Sequence, residues 1–261
     1  MSDYIIQLEE NITDKIELEI LKEILHDVRY ISKSMFTTTK ELKNIDNLKD
    51  WIPIGNIPFI TKWLRLTHNI DKENPIEIPE YLRTEEFLKR DYKIMKAKDL
   101  PRTGNYFIKD IDTLKHFSYA GNLAWLDIDG MLKPAENKLD SSIRLKQNTT
   151  MSVSEIYNIK SEYRVYVIDG EIENISNYNG YSYILPDIGL IEKAVKLINS
   201  NEKYLKSYTL DIMVGDRGTA IIEVHNFASV GLYSTLWGDN LLYAYKQGIE
   251  YLIKDNKKLS Y

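Results

Sequence analysis

Cysteine is absent from the chain. That excludes a disulfide framework, a thiol nucleophile and a cysteine-based zinc site, and it fits a reducing compartment. Proline and glycine are scarce, at 7 and 12 of 261 residues, which argues against long flexible linkers. No apolar run approaches the ~20 residues that a membrane-spanning helix needs. The N-terminal stretch MSDYIIQLEENITDK lacks the basic region and apolar run of a secretory signal. A soluble cytoplasmic protein with no membrane partner is therefore expected. Positive charge is not in excess either: 34 basic residues face 39 acidic ones, for a net charge of -5, so there is no global electrostatic footprint for nucleic acid. What remains is ordinary globular composition, 43% hydrophobic and 28% charged, in a chain long enough to bury a sizeable core. The 19 tyrosines mostly alternate with aliphatic residues, as half-buried sheet positions do.

The most informative stretch runs from Tyr208 to Tyr233. Two apolar, β-branched arms, 209–214 and 219–224, flank the turn letters Gly215, Asp216, Arg217 and Gly218, which predicts a β-hairpin. A three-residue loop, Asp216 to Gly218, pairs Gly215 with Thr219 and sets Asp211 opposite Glu223. A two- or four-residue loop puts Ile222 there instead. In the first register two carboxylates share a face roughly 5 Å apart, and like charges that close are destabilising unless a cation lies between them. Carboxylates suit Mg²⁺ or Mn²⁺. His225 shares the face of Glu223 by the period of two, and Asn226 follows at the strand end, so either completes a metal set of Asp211, Glu223 and His225 or Asn226. The competing reading is two solvated carboxylates on the open face of an antiparallel sheet.

Taken in order, the chain predicts an amphipathic helix at 13–25 and a second at 39–51. A strand and turn follow over 51–60, and then a helix to His68. Residues 71–79 read as a connection, and Thr84 opens a short helix. Strands are expected at 92–96, 105–109 and 123–127, the first two ending on Lys96 and Lys109, and 135–147 reads as a polar loop. A strand at 149–156 precedes a hairpin over 162–178 turning at Asp169-Gly170, a strong type I′ signal. Glu162, Arg164 and Tyr166 lie on one face of its first arm. Asp187 caps a helix whose apolar side is Leu190, Ile191, Ala194, Val195 and Ile198, and a last helix from about Asp239 buries Leu241, Tyr245, Ile249 and Leu252.

Several segments together carry a family resemblance. They are Pro53-Ile-Gly55-Asn-Ile-Pro-Phe59, Tyr106-Phe-Ile-Lys109 with His116-Phe117-Ser-Tyr-Ala-Gly121, Glu162-Tyr-Arg164-Val-Tyr-Val-Ile-Asp-Gly170, Tyr208-Thr-Leu-Asp211, and Ile222-Glu223-Val-His-Asn226 through Tyr233. In order and spacing they resemble the ATP-grasp superfamily, in particular a phage- and bacteria-associated clade of small ATP-grasp proteins. The resemblance implies an α+β fold in which two lobes clasp ATP behind an N-terminal α/β lobe, with residues 1–85, 86–155 and 156–261 as the three parts. It implies an ADP-forming carboxylate-amine ligase acting on a small-molecule or peptide carboxylate and an amine acceptor through an acyl-phosphate, with ATP and Mg²⁺ or Mn²⁺ as cofactors. Lys96, Lys109, Glu155 and Glu162 are then nucleotide-binding, Arg164 neutralises the transferred phosphoryl group, and Asp211, Glu223 and Asn226 hold the metal. One departure stands out: most ATP-grasp proteins have asparagine two residues after the metal glutamate, where this chain has His225. The usual Gly-rich phosphate loop is also absent, Gly121 being the one glycine in its place. Two further readings are an ATP-binding module without turnover and a lysine-dependent nucleotidyltransferase using Lys96 or Lys109.

Overall fold

The computed structural model describes residues 3–8, 33–71, 73, 75–113, 117–125, 146–233 and 238–258. The helix expected at 13–25 and most of the polar stretch at 135–147 lie outside them. The N-terminal lobe is a parallel sheet of β1 (Asp3–Gln7), β2 (Ser34–Thr37) and β3 (Trp51–Ile54) in the order β2-β1-β3. Helix α1 (Ile57–His68) follows, because Asn56 accepts from the N–H of Phe59 at 3.1 Å and a proline sits in the first turn. That cap contributes about 1 kcal/mol. Phe59, Ile60, Trp63 and Leu64 form its buried stripe, each contributing roughly 1.5–3 kcal/mol. The expected helix at 39–51 is instead two 3₁₀ turns, Glu41–Asn44 and Leu48–Asp50, separated at Asn47, whose positive φ of 51° no right-handed helix passes through.

After the short helix α2 (Glu85–Leu88), β4 (Tyr92–Lys96), β5 (Asn105–Asp110), β6 (Ser118–Asn122) and β7 (Thr150–Glu155) make an antiparallel sheet in the order β4-β7-β5-β6. One face buries Ile108, Met151 and Val153 against Ala97, Leu100, Phe117 and Leu123. The other carries Tyr92, Phe107, Lys109, Ser152 and Ser154 into a cleft. Of the strand expected at 123–127, residues 126 and 127 lie outside the described ones, and 123–125 form a 3₁₀ turn after β6: Asn122 pairs with Asn105, the first residue of β5, and its side chain then accepts from the N–H of Ala124.

The second four-stranded sheet is antiparallel, ordered β11-β10-β8-β9, from β8 (Ile159–Ile168), β9 (Glu171–Gly180), β10 (Tyr208–Gly215) and β11 (Gly218–Asn226). The turn at Asp169-Gly170 has positive φ at both residues, as a type I′ turn requires. Helix α3 (Ile188–Asn201), capped by Asp187, lays Ile191, Ala194, Val195 and Ile198 on one face of this sheet together with Leu82, Phe87 and Leu88. The last helix, α4 (Gly238–Lys258), buries Leu241, Tyr245, Ile249 and Leu252. Leu241 and Tyr245 share a cluster with Tyr4, Ile6 and Ile54, and Ile249 and Leu252 pack with Phe59 and Trp63. The N-terminal lobe thus shares its core with the C-terminal one.

The central hairpin corrects the sequence reading in an instructive way. Gly215 pairs with Gly218, so the loop is the two-residue Asp216-Arg217 and not the three-residue form. By itself that register would set Ile222 opposite Asp211. A β-bulge at Ile222 absorbs one residue, so that Ile212 pairs with Ile221 while Asp211 pairs with Glu223. Bulges re-aim side chains: here Ile222 and Glu223, adjacent in sequence, both reach the cleft.

Candidate functional site

The cleft between the two four-stranded sheets has a volume of about 640 Å³, the size of a small-molecule site. One wall is the polar face of the β4-β7-β5-β6 sheet, and the facing wall includes Glu162, Tyr178, Met213, Ile222 and Glu223. Ile156, Tyr157 and Ile159, where the chain passes from β7 to β8, line one end. Tyr157 packs with Met213, Ala220 and Ile222, giving that end an apolar floor.

At the other end Asp211, Glu223 and His225 each bring a ligand atom within 4.8 Å of the others. His225 Nε2 lies 2.7 Å from Glu223 Oε1, and Lys109, from the opposite sheet, donates to Glu223 Oε2. Burial alone would raise the Glu223 pKa, but the hydrogen bond and charge of His225 and the ammonium of Lys109 hold this carboxyl well below the usual carboxylate range. Asp211 is 2% exposed and receives two parallel bonds of 2.8 Å from Arg164 Nε and Nη2, the bidentate form that arginine makes best. Burial would lower the Arg164 pKa; the hydrogen bonds and charge of Asp211 outweigh it and raise the value above the ordinary one. The third side of the guanidinium donates to Gly231 O at 2.9 Å, and the Tyr233 and Tyr178 rings lie 4.8 and 5.7 Å from its carbon.

This donor set fits a divalent cation. Each carboxylate oxygen carries two lone pairs, so the contacts from Arg164, His225 and Lys109 leave acceptor capacity on both acids. Thr209 Oγ1, on the same face as Asp211 and opposite His225, is buried and has no hydrogen-bond partner among the described residues. Such buried orphans are rare in folded proteins.

The expected site residues are not all brought together. Lys109, Glu155, Glu162 and Glu223 line the cleft. Glu162 accepts from Tyr178 Oη at 2.8 Å and from Asn179 Nδ2 at 2.7 Å. Glu155 pairs with Arg217 Nη1 at 2.7 Å, a hydrogen bond that lowers its pKa, and Arg217 sits at the tip of the β10-β11 hairpin. Lys96 shares the cleft-facing side of its strand but lies beyond the lining, exposed, with Nζ 2.7 Å from Thr150 Oγ1. Arg164 is likewise outside the lining, behind Asp211, with Nε, Nη1 and Nη2 each donating one bond as described.

Of the two alternatives at the strand end, His225 joins the carboxylates and Asn226 does not. Asn226 pairs with Tyr208 on the opposite face, where its Oδ1 accepts from Ala228 N at 2.8 Å and its Nδ2 donates to the buried Glu73 at 3.2 Å. The period of two decides this, because no bulge follows Glu223. Arg90, Tyr92, Tyr157 and Tyr178 were not anticipated. A lone arginine between a short helix and a strand carries no periodic signal, and the tyrosines read as sheet residues.

Two sheets closing on a cleft, with a lysine from one meeting acidic residues on a hairpin of the other, define an ATP-grasp fold. The model of the family described as ATP-grasp domain, R-2-K clade family 2, matches residues 87–239, and the chain belongs to that family. Among solved structures it is similar to the D-cycloserine synthetase DcsG (TM-score 0.55, 10% identity, covering 97% of this chain and 100% of that one). It is similar also to a RimK domain protein ATP-grasp from Sphaerobacter thermophilus (0.53, 9%, 95% and 99%) and to the ATP-grasp ligase PsnB complexed with minimal precursor (0.52, 11%, 95% and 99%). Identities this low speak for the fold alone. Comparison of the sequence with curated proteins returns no match. Among the described residues no helix is long and apolar enough to cross a membrane.

Proposed function

We propose that this protein is an ATP- and Mg²⁺-dependent ligase, with Mn²⁺ as the alternative ion, joining a small-molecule or peptide carboxylate to an amine with release of ADP. The observation that carries the reading is the cluster of Asp211, Glu223 and His225 at one end of the cleft, faced by Lys109. In this reading the carboxylate attacks the γ-phosphorus, ADP leaves, and the amine displaces phosphate from the acyl-phosphate to give the amide. Such transfers need positioning and positive charge more than a protein nucleophile. The apolar end, with Ile156, Tyr157 and Met213, receives the base, and Glu155 and Glu162 are placed to accept from base amino or ribose hydroxyl groups. Asp211, Glu223 and His225 would hold the metal, which when bound screens the repulsion between the anionic substrate and the triphosphate. Lys109, which meets Glu223 from the opposite sheet, would hold the nucleotide phosphates. Arg164 works through Asp211, fixing its orientation by two parallel hydrogen bonds. Residues 1–85, 86–155 and 156–261 serve as acceptor-side lobe, nucleotide lobe and metal-binding lobe.

The relatives whose names specify a synthetase and a ligase bound to a precursor agree with this chemistry. The test is calorimetry with a nonhydrolysable ATP analogue, with Mg²⁺ and with EDTA, on wild type and Glu223→Gln, followed by a screen of carboxylate and amine pairs for ADP release. Mg-dependent binding that is lost in the variant, together with ADP release on a pair, supports the ligase. Binding without turnover on any pair would leave an ATP-binding module, and an AMP-lysine adduct on Lys96 or Lys109 would mean nucleotidyl transfer instead.

A further inference from the structure

Large apolar and aromatic side chains stand exposed in close succession where β9 gives way to α3: Tyr181 is 57% exposed, Tyr183 77%, Leu185 73% and Ile188 47%. Elsewhere among the described residues such exposure is scattered, which is ordinary for a surface. The rings of Tyr181 and Tyr183 lie 5.5 Å apart and form one surface. The turn beneath them is held in place. The Ile184 N–H donates to Tyr181 O at 3.0 Å, the hydroxyl of the buried Tyr163 lies 3.0 and 2.9 Å from Ser182 O and Ile184 O, and Ile184 itself packs inward against the core under α3. A turn so anchored cannot fold its aromatic side chains inward.

The cleft does not account for them, since none of the four lines it. Charge narrows the choice of partner. From Val165 to Glu192 the chain has no lysine or arginine. Lys160, whose carbonyl accepts from the Tyr181 N–H, pairs through Nζ with Asp216, and Lys193 is held by Glu86. Nucleic acids and anionic membranes are gripped through free cations, so neither suits this surface. Its size suits another copy of the chain. At about 200 Å² for a large side chain fully exposed, the four present roughly 500 Å². A standard interface buries about 800 Å² per partner, and in homodimers about 65% of that is apolar, which is the same area. Two-fold dimers bring the same patch of both subunits together, and the single charged residue within 181–188, Asp187, is engaged in capping α3. We infer that the turn over 181–188 is the centre of a two-fold interface between two copies of this protein.

The inference stands apart from the nucleotide chemistry, and it is tested by sedimentation of the full chain over about 1–100 µM, the range that resolves micromolar dimers. Wild type should run as a dimer. Tyr183→Asp with Leu185→Asp, which sets charges into the contact, should raise the dissociation constant roughly a hundredfold or more and run as a monomer, folded by circular dichroism. Leu66→Asp, at an exposed leucine of α1, should leave the dimer as in wild type. Should the double variant not fold, Tyr183→Ser with Leu185→Ser serves: a monomer supports the interface, and an undiminished dimer refutes it. A wild type that stays monomeric overturns the inference, as does a dimer that the double variant leaves intact or that Leu66→Asp also dissolves. A monomeric wild type that floats with phosphatidylcholine vesicles, beside a double variant that does not, would make the patch a membrane contact instead.

Discussion

Arg164 and Asp211 sit directly opposite each other on β8 and β10 and share two parallel hydrogen bonds of 2.8 Å in a nearly dry setting, 9% and 2% of the side chains being exposed. Removing the cation leaves a buried carboxylate unpaired, which costs about 3–5 kcal/mol. Arg164→Met should therefore lose roughly that much stability in urea unfolding. Asp211→Asn keeps one acceptor but turns an amide donor toward the guanidinium and leaves that buried charge unpaired, so it should also lose stability, and it should fail to bind ATP with Mg²⁺. A stable Arg164→Met with wild-type unfolding would show that the pair does not hold this face together.

His225 and Asn226 separate by function in a single pair of variants. His225→Ala should weaken Mn²⁺ binding about 10–100-fold, the usual effect of losing a metal-site group, with the melting temperature little changed. Asn226→Ala removes the acceptor for Ala228 N and a donor to Glu73, and should cost about 1–3 kcal/mol of stability with metal affinity nearly intact. The reverse pattern, read by titration and by thermal unfolding, would put Asn226 at the ion.

Between Glu155 and Arg217 the prediction concerns pH. The hydrogen bond from Arg217 lowers the Glu155 pKa from the ordinary value of 4.5, so the folded state binds this proton less readily than the unfolded one. The stabilisation is then present above about pH 4.5 and is lost as the pH falls below it. Both side chains are nearly half exposed, so screening limits the coupling to about 0.2–1 kcal/mol. A double-mutant cycle with Glu155→Gln and Arg217→Met should give that value at pH 7 in low salt, and near zero at pH 3 or in 1 M NaCl. Coupling that grows in acid would contradict the assignment.

Gly215 marks how tightly the hairpin meets the segment joining the two sheets. A β-carbon there would lie 2.1 Å from Asn158 O and 2.3 Å from the Tyr157 ring. Gly215→Ala should destabilise by about 1–3 kcal/mol, as overpacking does, and should weaken nucleotide binding by displacing Tyr157. Gly218→Ala meets no atom within 4 Å but carries a φ of +97°, so it should cost stability through backbone strain while leaving nucleotide affinity unchanged.

The sequence by itself determined the local elements and their faces. Alternation and turn letters mark the β8-β9 and β10-β11 hairpins, Asp187 and the 3.6-residue stripe mark α3, and the same stripe marks α4; these depend on neighbours in the chain. It offered Asp211 opposite Glu223 as one of two registers and tied that register to a three-residue loop, because the bulge at Ile222 that substitutes for one loop residue leaves no letter of its own. Only the tertiary structure decided which cations reach the cleft. Lys96 and Lys109 look alike at their strand ends, but β4 is an edge strand and β5 an inner one, so one lysine finds Thr150 and the other Glu223. Arg164 on Asp211, Glu73 under Asn226 and Arg90 under Ile221 span 47, 153 and 131 residues of chain. No local pattern encodes such separations, because each contact exists only once distant segments meet, within one sheet for Arg164 and Asp211 and between separate parts of the fold for the other two.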